Sequence, residues 1–415
     1  MAAESPAAEN REMSEPQANA LDRRMFLQAG ATAAAVAATG LPAGLAAAQE
    51  AKANGEKPVL PTRTLGKTGV DVTLLNHGTV GEPAGLARLL RTAYREGVRY
   101  FDTAEGYKNS EKVIGDWLTA APEVRKNIFL ATKSHVTTPS AMLKKLDERL
   151  ANLKTDHIDL LFFHGLDTGQ TDWPKSKELK DAAEALKRTG KVKFVGFSTH
   201  DTKIAEQIQN AAEGGFIDVI MLKWTPWTPK DAPLNKALDA CHAKGIGLVS
   251  MKQIAGQAEF TAEHVPSIKA KGLTPAQGLL QAIWTDERFS AACVTLRNNE
   301  QVAENADAAR RFEPLKQAEI DELRDAVLAS SPTMCPGCDG RCSLAAGTDA
   351  RLGDLARFYT YHESHGMRSV AREEFANLPA ALRDWKGADL AAAQAACHHK
   401  LDFARLLPEV DRLLG

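Results

Sequence analysis

The chain has 415 residues, a formal net charge of −2, 44% hydrophobic residues and 25% charged residues. That is enough apolar material for one large domain plus a small one, and a near-neutral balance without a basic block argues against a nucleic-acid partner. The six cysteines are unevenly placed. Cys241 and Cys293 stand alone in apolar surroundings, where a small buried hydrophobe is the default, whereas Cys335, Cys338, Cys342 and Cys397 all lie beyond residue 330, which suggests a separate C-terminal module.

In chain order, the residues before Arg23 are polar, acidic and alanine-rich without apolar periodicity, a pattern that predicts disorder. "LDRRMFLQAG", residues 21–30, then sets Arg23 and Arg24 before an uncharged run from Phe26 to Ala48, mostly Ala, Gly and Thr with Pro42 inside it. A bilayer span takes about 20 apolar residues, so the run is long enough, but alanine makes it weakly hydrophobic. Ala46 and Ala48 suit a signal-peptidase site. The segment resembles a twin-arginine export signal, with its R-R-x-F-L core. The resemblance implies passage through the twin-arginine export machinery in the folded state, and a periplasmic or otherwise exported location. An uncleaved signal would instead leave a membrane anchor.

From Leu65 onward, short apolar runs alternate with longer amphipathic ones. The expected strands are "VTLLNHG" (72–78), "VRYFD" (98–102), "IFLAT" (128–132), "IDLLFF" (158–163), "VKFVGF" (192–197), "DVIML" (218–222), "IGLVSM" (246–251) and "ACVTL" (292–296). Short runs that are apolar on both faces are the mark of buried parallel strands. Stretches such as "SAMLKKLDERLANL" between them carry the three- and four-residue spacing of helices. Eight such pairs predict a closed (β/α)8 barrel with a small, mainly helical, cysteine-containing C-terminal extension. A doubly wound sheet would need a glycine-rich turn after its first strand, and no G-x-G-x-x-G occurs. The expected organisation is a signal region at 1–48, a linker at 49–61, the barrel at 62–328 and the extension at 329–415.

Chemistry in such a barrel belongs at the C-terminal ends of its strands. Asp102 closes the second strand, Lys133 follows the third, His164 follows the fourth, and Tyr107 opens the helix after Asp102. A tyrosine ionises near pH 10, and a nearby ammonium stabilises its phenolate. Lys133 can play that part, Asp102 is a natural counter-ion for it, and His164 can orient a carbonyl oxygen or relay a proton. "FDTAEGYKNSEKVIGDWL" and "LDERLANLKTDHIDLLFFH" resemble the two hallmark segments of aldo-keto reductases, and the similarity extends from "RTLGKTGVDVTLL" to about Ala309. The resemblance implies that Asp102, Tyr107, Lys133 and His164 form a catalytic tetrad for hydride transfer between NADP or NAD and a small-molecule carbonyl, with tyrosine as acid.

By the same resemblance, Ser198 would bind the nicotinamide carboxamide and Thr199 stands in place of the usual asparagine. Trp224 falls where an aromatic ring stacks on the nicotinamide, with rim packing as its plainer role. Met251 and Lys252 belong to the loop near the pyrophosphate, and Glu304 and Asn305 lie near the adenine. Met221 occupies the place of a common glutamine. Gln301 stands where an arginine often meets the 2′-phosphate, and an arginine fork suits that group better than an amide does. "CPGCDGRC" with Cys397 offers four thiolates. Four cysteines serve an iron–sulfur cluster, a structural zinc or disulfides. The tail resembles the ferredoxin-like extension of an aldo-keto reductase subgroup, which implies a 4Fe–4S cluster, though the spacing is longer than usual. Two rival functions remain open: an electron-transfer oxidoreductase that uses this cluster with an outside partner, and a non-catalytic nucleotide-binding barrel.

Overall fold

The computed structural model describes residues 56–81, 84–253, 260–330, 332–335, 340–364 and 366–415. The expected signal region, the apolar run 26–48, residues 254–259 of the expected pyrophosphate loop and Cys338 lie outside the described residues. Lys57–Gly415 form one unit.

The run 72–78 does not form one strand. Asp71–Thr73 (β2) pairs antiparallel with Thr62–Thr64 (β1), while Leu75–Gly78 (β3) enters the barrel. Between them the Leu74 N–H donates to the Pro61 carbonyl at 2.9 Å, which turns the chain. The hairpin closes the N-terminal end of the barrel. Leu65 and Val72 plug its interior, and Arg63 donates to the carbonyls of Trp284 at 2.9 Å and Phe289 at 2.6 Å.

The expected closed barrel follows. Tyr100–Asp102 (β4), Phe129–Ser134 (β5), Ile158–Phe163 (β6), Val192–Thr199 (β7), Val219–Lys223 (β8), Gly247–Met251 (β9) and Phe289–Thr295 (β10) join β3 in the order β10-β3-β4-β5-β6-β7-β8-β9. Every neighbouring pair is parallel. Alternation along each strand splits the apolar residues in two. Tyr100, Phe129, Ala131, Leu160, Phe162, Val219, Met221 and Val249 fill the interior, while Phe101, Leu130, Leu161, Phe163, Ile220, Leu222 and Leu248 face the surrounding helices. Each such side chain stabilises the fold by about 1.5–3 kcal/mol relative to exposure. Gly196 of β7 leaves room where a Cβ would run into the Val219 carbonyl and come within 3.0 Å of the Phe162 ring.

Beyond the barrel, helices Leu352–Glu363, Arg368–Asn377, Leu390–Ala396 and Phe403–Leu414 share a second apolar core with Met334, Phe358, Phe375, Phe403 and Leu407 at its centre. The terminal helix follows its amphipathic pattern, burying Phe403, Leu406, Leu407 and Val410. No helix among the described residues is long and apolar enough to cross a membrane. This tail reaches the barrel at the C-terminal ends of the strands, where left-handed Gly340 packs on the backbone of Thr202 so closely that no Cβ would fit.

Candidate active site

Asp102, Lys133, Tyr107 and His164 meet at one rim. The inward alternation of β4 and β5 carries Asp102 and Lys133 to the mouth, where they are 2% and 1% exposed and form a direct ion pair. Lys133 Nζ also donates to the Thr103 carbonyl at 2.9 Å. The Glu105 N–H donates to the Lys133 carbonyl at 2.9 Å and the Tyr107 N–H to the Ala104 carbonyl at 3.1 Å, which folds the loop back over the lysine. Lys133 Nζ therefore lies 5.2 Å from the centre of the Tyr107 ring. His164 follows β6, held by its N–H to the Ser134 carbonyl at 2.9 Å, and meets the Tyr107 ring edge-on at 5.7 Å.

The signature residues around Tyr107 are explained by the support they give. Ser110 Oγ donates to the Thr79 carbonyl at 3.0 Å. The buried Glu111 carboxylate accepts from Thr132 at 2.7 Å and Asn152 at 3.1 Å and pairs with Arg149 at 3.1 Å. Gly115 lets the helix Ser110–Ala120 approach Met142–Leu153, because a Cβ there would sit 2.5 Å from the Asn152 carbonyl.

The electrostatics differ from expectation in one respect. Burial pushes the Tyr107 phenol up to about 12, and although Lys133 pulls it down, Asp102, Cys293 and Glu374 oppose that pull. The phenol thus rests as the protonated acid. Burial would lower Lys133, but Asp102, Tyr107 and Cys293 raise it, so its ammonium stays charged. Burial likewise raises Asp102 more than Lys133 lowers it. His164 is held well below its usual value, first by burial and then by Lys133, His135, His200 and Lys252, so its imidazole is neutral. Beside it a cleft of about 470 Å³ is lined by His135, Phe163, Asp167, Gln170 and Trp173 among others, with the His135 ring stacked on His164 at 4.3 Å.

The expected nucleotide residues divide. Ser198 is buried at the end of β7, and its Oγ accepts from the Gly165 N–H at 2.9 Å, leaving its own O–H to donate elsewhere. Thr199 is committed internally, donating to Gln207 Oε1 at 2.5 Å. Met251 and Lys252 sit half-buried at the end of β9. Glu304 accepts from Thr274 at 2.5 Å, and the neighbouring Asn305 keeps a buried carboxamide oxygen without a hydrogen bond. Alternation along β8 turns Met221 and Lys223 inward and Trp224 outward, where it stacks on Phe289 at 4.6 Å and donates to Asn235 at 3.2 Å, the packing role that the sequence left open for it.

Of the four candidate metal ligands, Cys335, Cys342 and Cys397 lie buried in the tail core, and Cys338 is outside the described residues. Burial, then Cys335 and Cys397, push the Cys342 thiol up to about 12, so the three thiols lie within each other's field. Among the described residues, however, no three His, Cys, Asp or Glu side chains are grouped closely enough to hold a metal ion.

Sequence reasoning missed several mouth residues. Cys293, read as a plain hydrophobe, places its Sγ 3.8 Å from Asp102 Oδ1. Lys223 ends an apolar strand just as Lys133 does, so the same signal could have found it. Asp354 and Glu374 come from tail helices and Arg351 from the residue that precedes one, and no local pattern marks them.

The comparisons with known proteins agree with this geometry. The model of the Aldo/keto reductase family matches residues 74–327. L-galactose dehydrogenase of Arabidopsis thaliana is 27% identical over 287 residues, which are 61% of this chain and 89% of the relative. Methylglyoxal reductase of Salmonella typhimurium is 27% identical over 46% of this chain and 70% of its own. The crystal structure of an aldo-keto reductase from Klebsiella pneumoniae in complex with NADPH shares the fold, with a TM-score of 0.52 at 23% identity over 65% of this chain and 96% of that one. A closed parallel barrel, a buried lysine–aspartate pair beside a tyrosine at its mouth, and a family match across the barrel lead to one conclusion: this chain belongs to the aldo/keto reductase family of NAD(P)-dependent oxidoreductases.

Proposed function

We propose that this oxidoreductase transfers a hydride between NAD(P)H and the carbonyl carbon of a small aldehyde or ketone, or the reverse from the alcohol, with Tyr107 as the acid or base. The observation that carries this reading is the meeting of a protonated phenol, a permanently charged ammonium and a neutral imidazole at one rim. When bound, the dinucleotide supplies the hydride. Ser198 would hold its carboxamide through the free O–H, Lys252 would meet its negative charge, and Asn305 offers a buried acceptor. Thr199 is hydrogen-bonded to Gln207 and Trp224 packs on Phe289, so the fit is argued from Ser198, Lys252 and Asn305.

Tyr107 gives its proton to the carbonyl oxygen as negative charge develops there. The ammonium of Lys133, fixed by Asp102, stabilises the phenolate that remains. Neutral His164 orients the oxygen by donating an N–H. The names of the relatives, a sugar dehydrogenase and a methylglyoxal reductase, favour a small polar carbonyl, and the cleft beside His164 has room for one. The test is steady-state turnover of nitrobenzaldehyde with each nucleotide. The reading expects Tyr107→Phe to abolish turnover while nucleotide binding persists. Nucleotide binding without turnover of any carbonyl would replace it with the binding-barrel reading.

For the tail we infer a 4Fe–4S cluster ahead of zinc or disulfides. Three buried thiols within each other's field support the inference. As described they do not close a ligand set, so no step of carbonyl reduction is routed through them. Visible absorbance bleached by dithionite in anaerobically purified protein is the expected result, and stoichiometric zinc without iron would overturn it. Arg23 and Arg24 support export by the twin-arginine route with the nucleotide already bound. Replacing both with lysine should leave the protein in the cytoplasm, and unimpaired export of that variant would end the proposal.

A further inference from the structure

The barrel interior beneath the Lys133–Asp102 pair is polar on one side. β3 lies between β10 and β4, and Asn76 is its residue in register with Cys293 on one neighbour and Tyr100 on the other. Tyr100 and Cys293 face the interior, and residues paired across neighbouring strands share a face, so Asn76 faces it too. Two residues nearer the mouth, Gly78 stands opposite Asp102. A Cβ there would come within 2.9 Å of Cys293 Sγ, so the glycine lets that thiol reach across β3 to within 3.8 Å of Asp102 Oδ1. Asn76 and Tyr100 thus form the floor under Asp102.

Both floor residues are 0% exposed. Among the described residues, neither the Asn76 amide nor the Tyr100 hydroxyl makes a hydrogen bond. Asp102 is half satisfied: Oδ1 meets Lys133 and Cys293, while buried Oδ2 has no partner. Buried polar atoms are almost always paired, with protein or with ordered water. These four are complementary. Asn76 Nδ2 and the Tyr100 O–H donate, Asn76 Oδ1 and Asp102 Oδ2 accept, and turning the amide over keeps one of each. Burial, then Asp102 and Cys293, hold the Tyr100 phenol well above its usual value, so it stays a donor. The other interior neighbours, Phe129, Leu160, Phe162 and Met221 among them, are apolar and cannot pair with these atoms. Three polar side chains supply the ~2–4 partners that a buried water requires.

We propose that Asn76 and Tyr100 are positioning residues for the reaction, which donate through buried water to Asp102 Oδ2 and so keep the carboxylate charged and turned toward Lys133. Oδ1 is then left to the ammonium, and the ammonium is held where the phenolate of Tyr107 forms. The charged and titratable groups that face Asp102 are Lys133 from β5, Cys293 from β10, and Tyr100 and Tyr107 from β4 and its loop. Lys133 alone among these is cationic, so a donor lost from Oδ2 is not replaced by another charge. The effect on turnover rests on the proposed function, but the hydrogen bonding does not.

The test is Tyr100→Phe in the full chain, which removes one oxygen and keeps the ring against Phe129. Loss of an unpaired buried hydroxyl would leave the melting temperature unchanged or raise it. The proposal expects the opposite: a melting temperature lower by about 2–4 °C at pH 7, and a loss about half as large in an Asp102→Asn background, where the acceptor carries no charge. A carboxyl deprived of its donors also holds its proton to higher pH. The acid limb of kcat should therefore move up by about one pH unit, with KM changed by less than about twofold. Packing alone moves no limb. Asn76→Leu should act in the same directions, which keeps the question answerable if the phenylalanine variant folds poorly. A crystal structure should show ordered water within hydrogen-bond reach of both Asp102 Oδ2 and Tyr100 Oη. An unmoved acid limb, a Tyr100→Phe protein at least as stable as wild type, or apolar contact alone at Oδ2 would each refute the proposal. An enzyme inactive on every carbonyl would count against the proposed reaction, and the melts would still decide the hydrogen bonding.

Discussion

Lys133→Met removes the cation beside the phenol and keeps the length of the side chain. Its ammonium lies 5.2 Å from the centre of the Tyr107 ring, and a unit charge at that distance contributes about 3 kcal/mol at an effective dielectric constant of about 20. All of this appears as phenolate forms and little of it in the ground state, so kcat should fall about two powers of ten while KM changes little. Stability should fall as well. Asp102 would remain buried without its partner, and breaking such a pair from one side costs about 3–5 kcal/mol. The carboxyl, already raised by burial, would then rise further. A raised carboxyl favours folding in its protonated form, so the variant should lose stability as pH climbs above the ordinary carboxylate range. Asp102→Asn combined with Lys133→Met removes the stranded charge and should recover much of the stability but none of the rate. Stopped-flow single turnovers and thermal melts of the three proteins separate the two effects. A folded Lys133→Met enzyme with kcat within threefold of wild type, or a double variant that regains activity, would refute the electrostatic argument.

Acid should unfold the protein through its buried histidines. Burial lowers His77 to about 4 and holds His164 well below its ordinary value. A histidine depressed in the folded state stabilises the fold where it is neutral, so stability is full above about pH 6.5 and is lost as pH falls toward 4, with His77 alone contributing about 3 kcal/mol. Melts between pH 7 and 4.5 check this, and His77→Leu should flatten the profile. Gly115→Ala should destabilise by about 1–3 kcal/mol, although the same change in an ordinary helix interior gains about 1 kcal/mol, because the methyl would press on the Asn152 carbonyl. Urea unfolding gives the sign, and a stabilised variant would contradict the close helix approach. Trp224→Leu should lower the melting temperature and leave nucleotide affinity within about twofold, since the ring packs on Phe289. A tenfold loss in a fluorescence titration would restore its stacking role.

The strand runs and the barrel were legible because a side chain's face follows from a period of two, and an inward position at the end of an apolar run must look into the mouth. The same rule, carried one residue further along β8, separates Lys223 from Trp224. Family position had assigned the tryptophan, but counting outward from buried Met221 turns it to the helices. The break at Leu74 was not legible, since Val72 and Leu75 are equally apolar and only their different partners, the hairpin and the barrel, tell them apart. Tyr107 carries a second lesson. The direction of the lysine's pull followed from chemistry, but the depth of burial that outweighs it is a property of the packed loop. The tail residues at the mouth were hidden for a plainer reason. Arg351 and Asp354 look like ordinary charges at a helix start until docking sets them against partners about 130–150 positions away.

That docking changes what the extension is for. Lys133 takes its counter-ion from the barrel, in Asp102, but Lys223 takes its counter-ion from the tail, in Asp354. A lysine buried at the end of an inward strand is costly without an acid beside it. The barrel's Asp201 in turn is satisfied by Arg351 of the tail, and Glu374 of the tail opposes ionisation of the Tyr107 phenol. Charges thus cross the junction in both directions, and each partner is buried where the other supplies it. Such reciprocity is hard to reconcile with a tail that only covers or anchors the enzyme. The charges at the mouth of this barrel are paired across the junction, and Glu374 carries the field of the tail to the Tyr107 phenol.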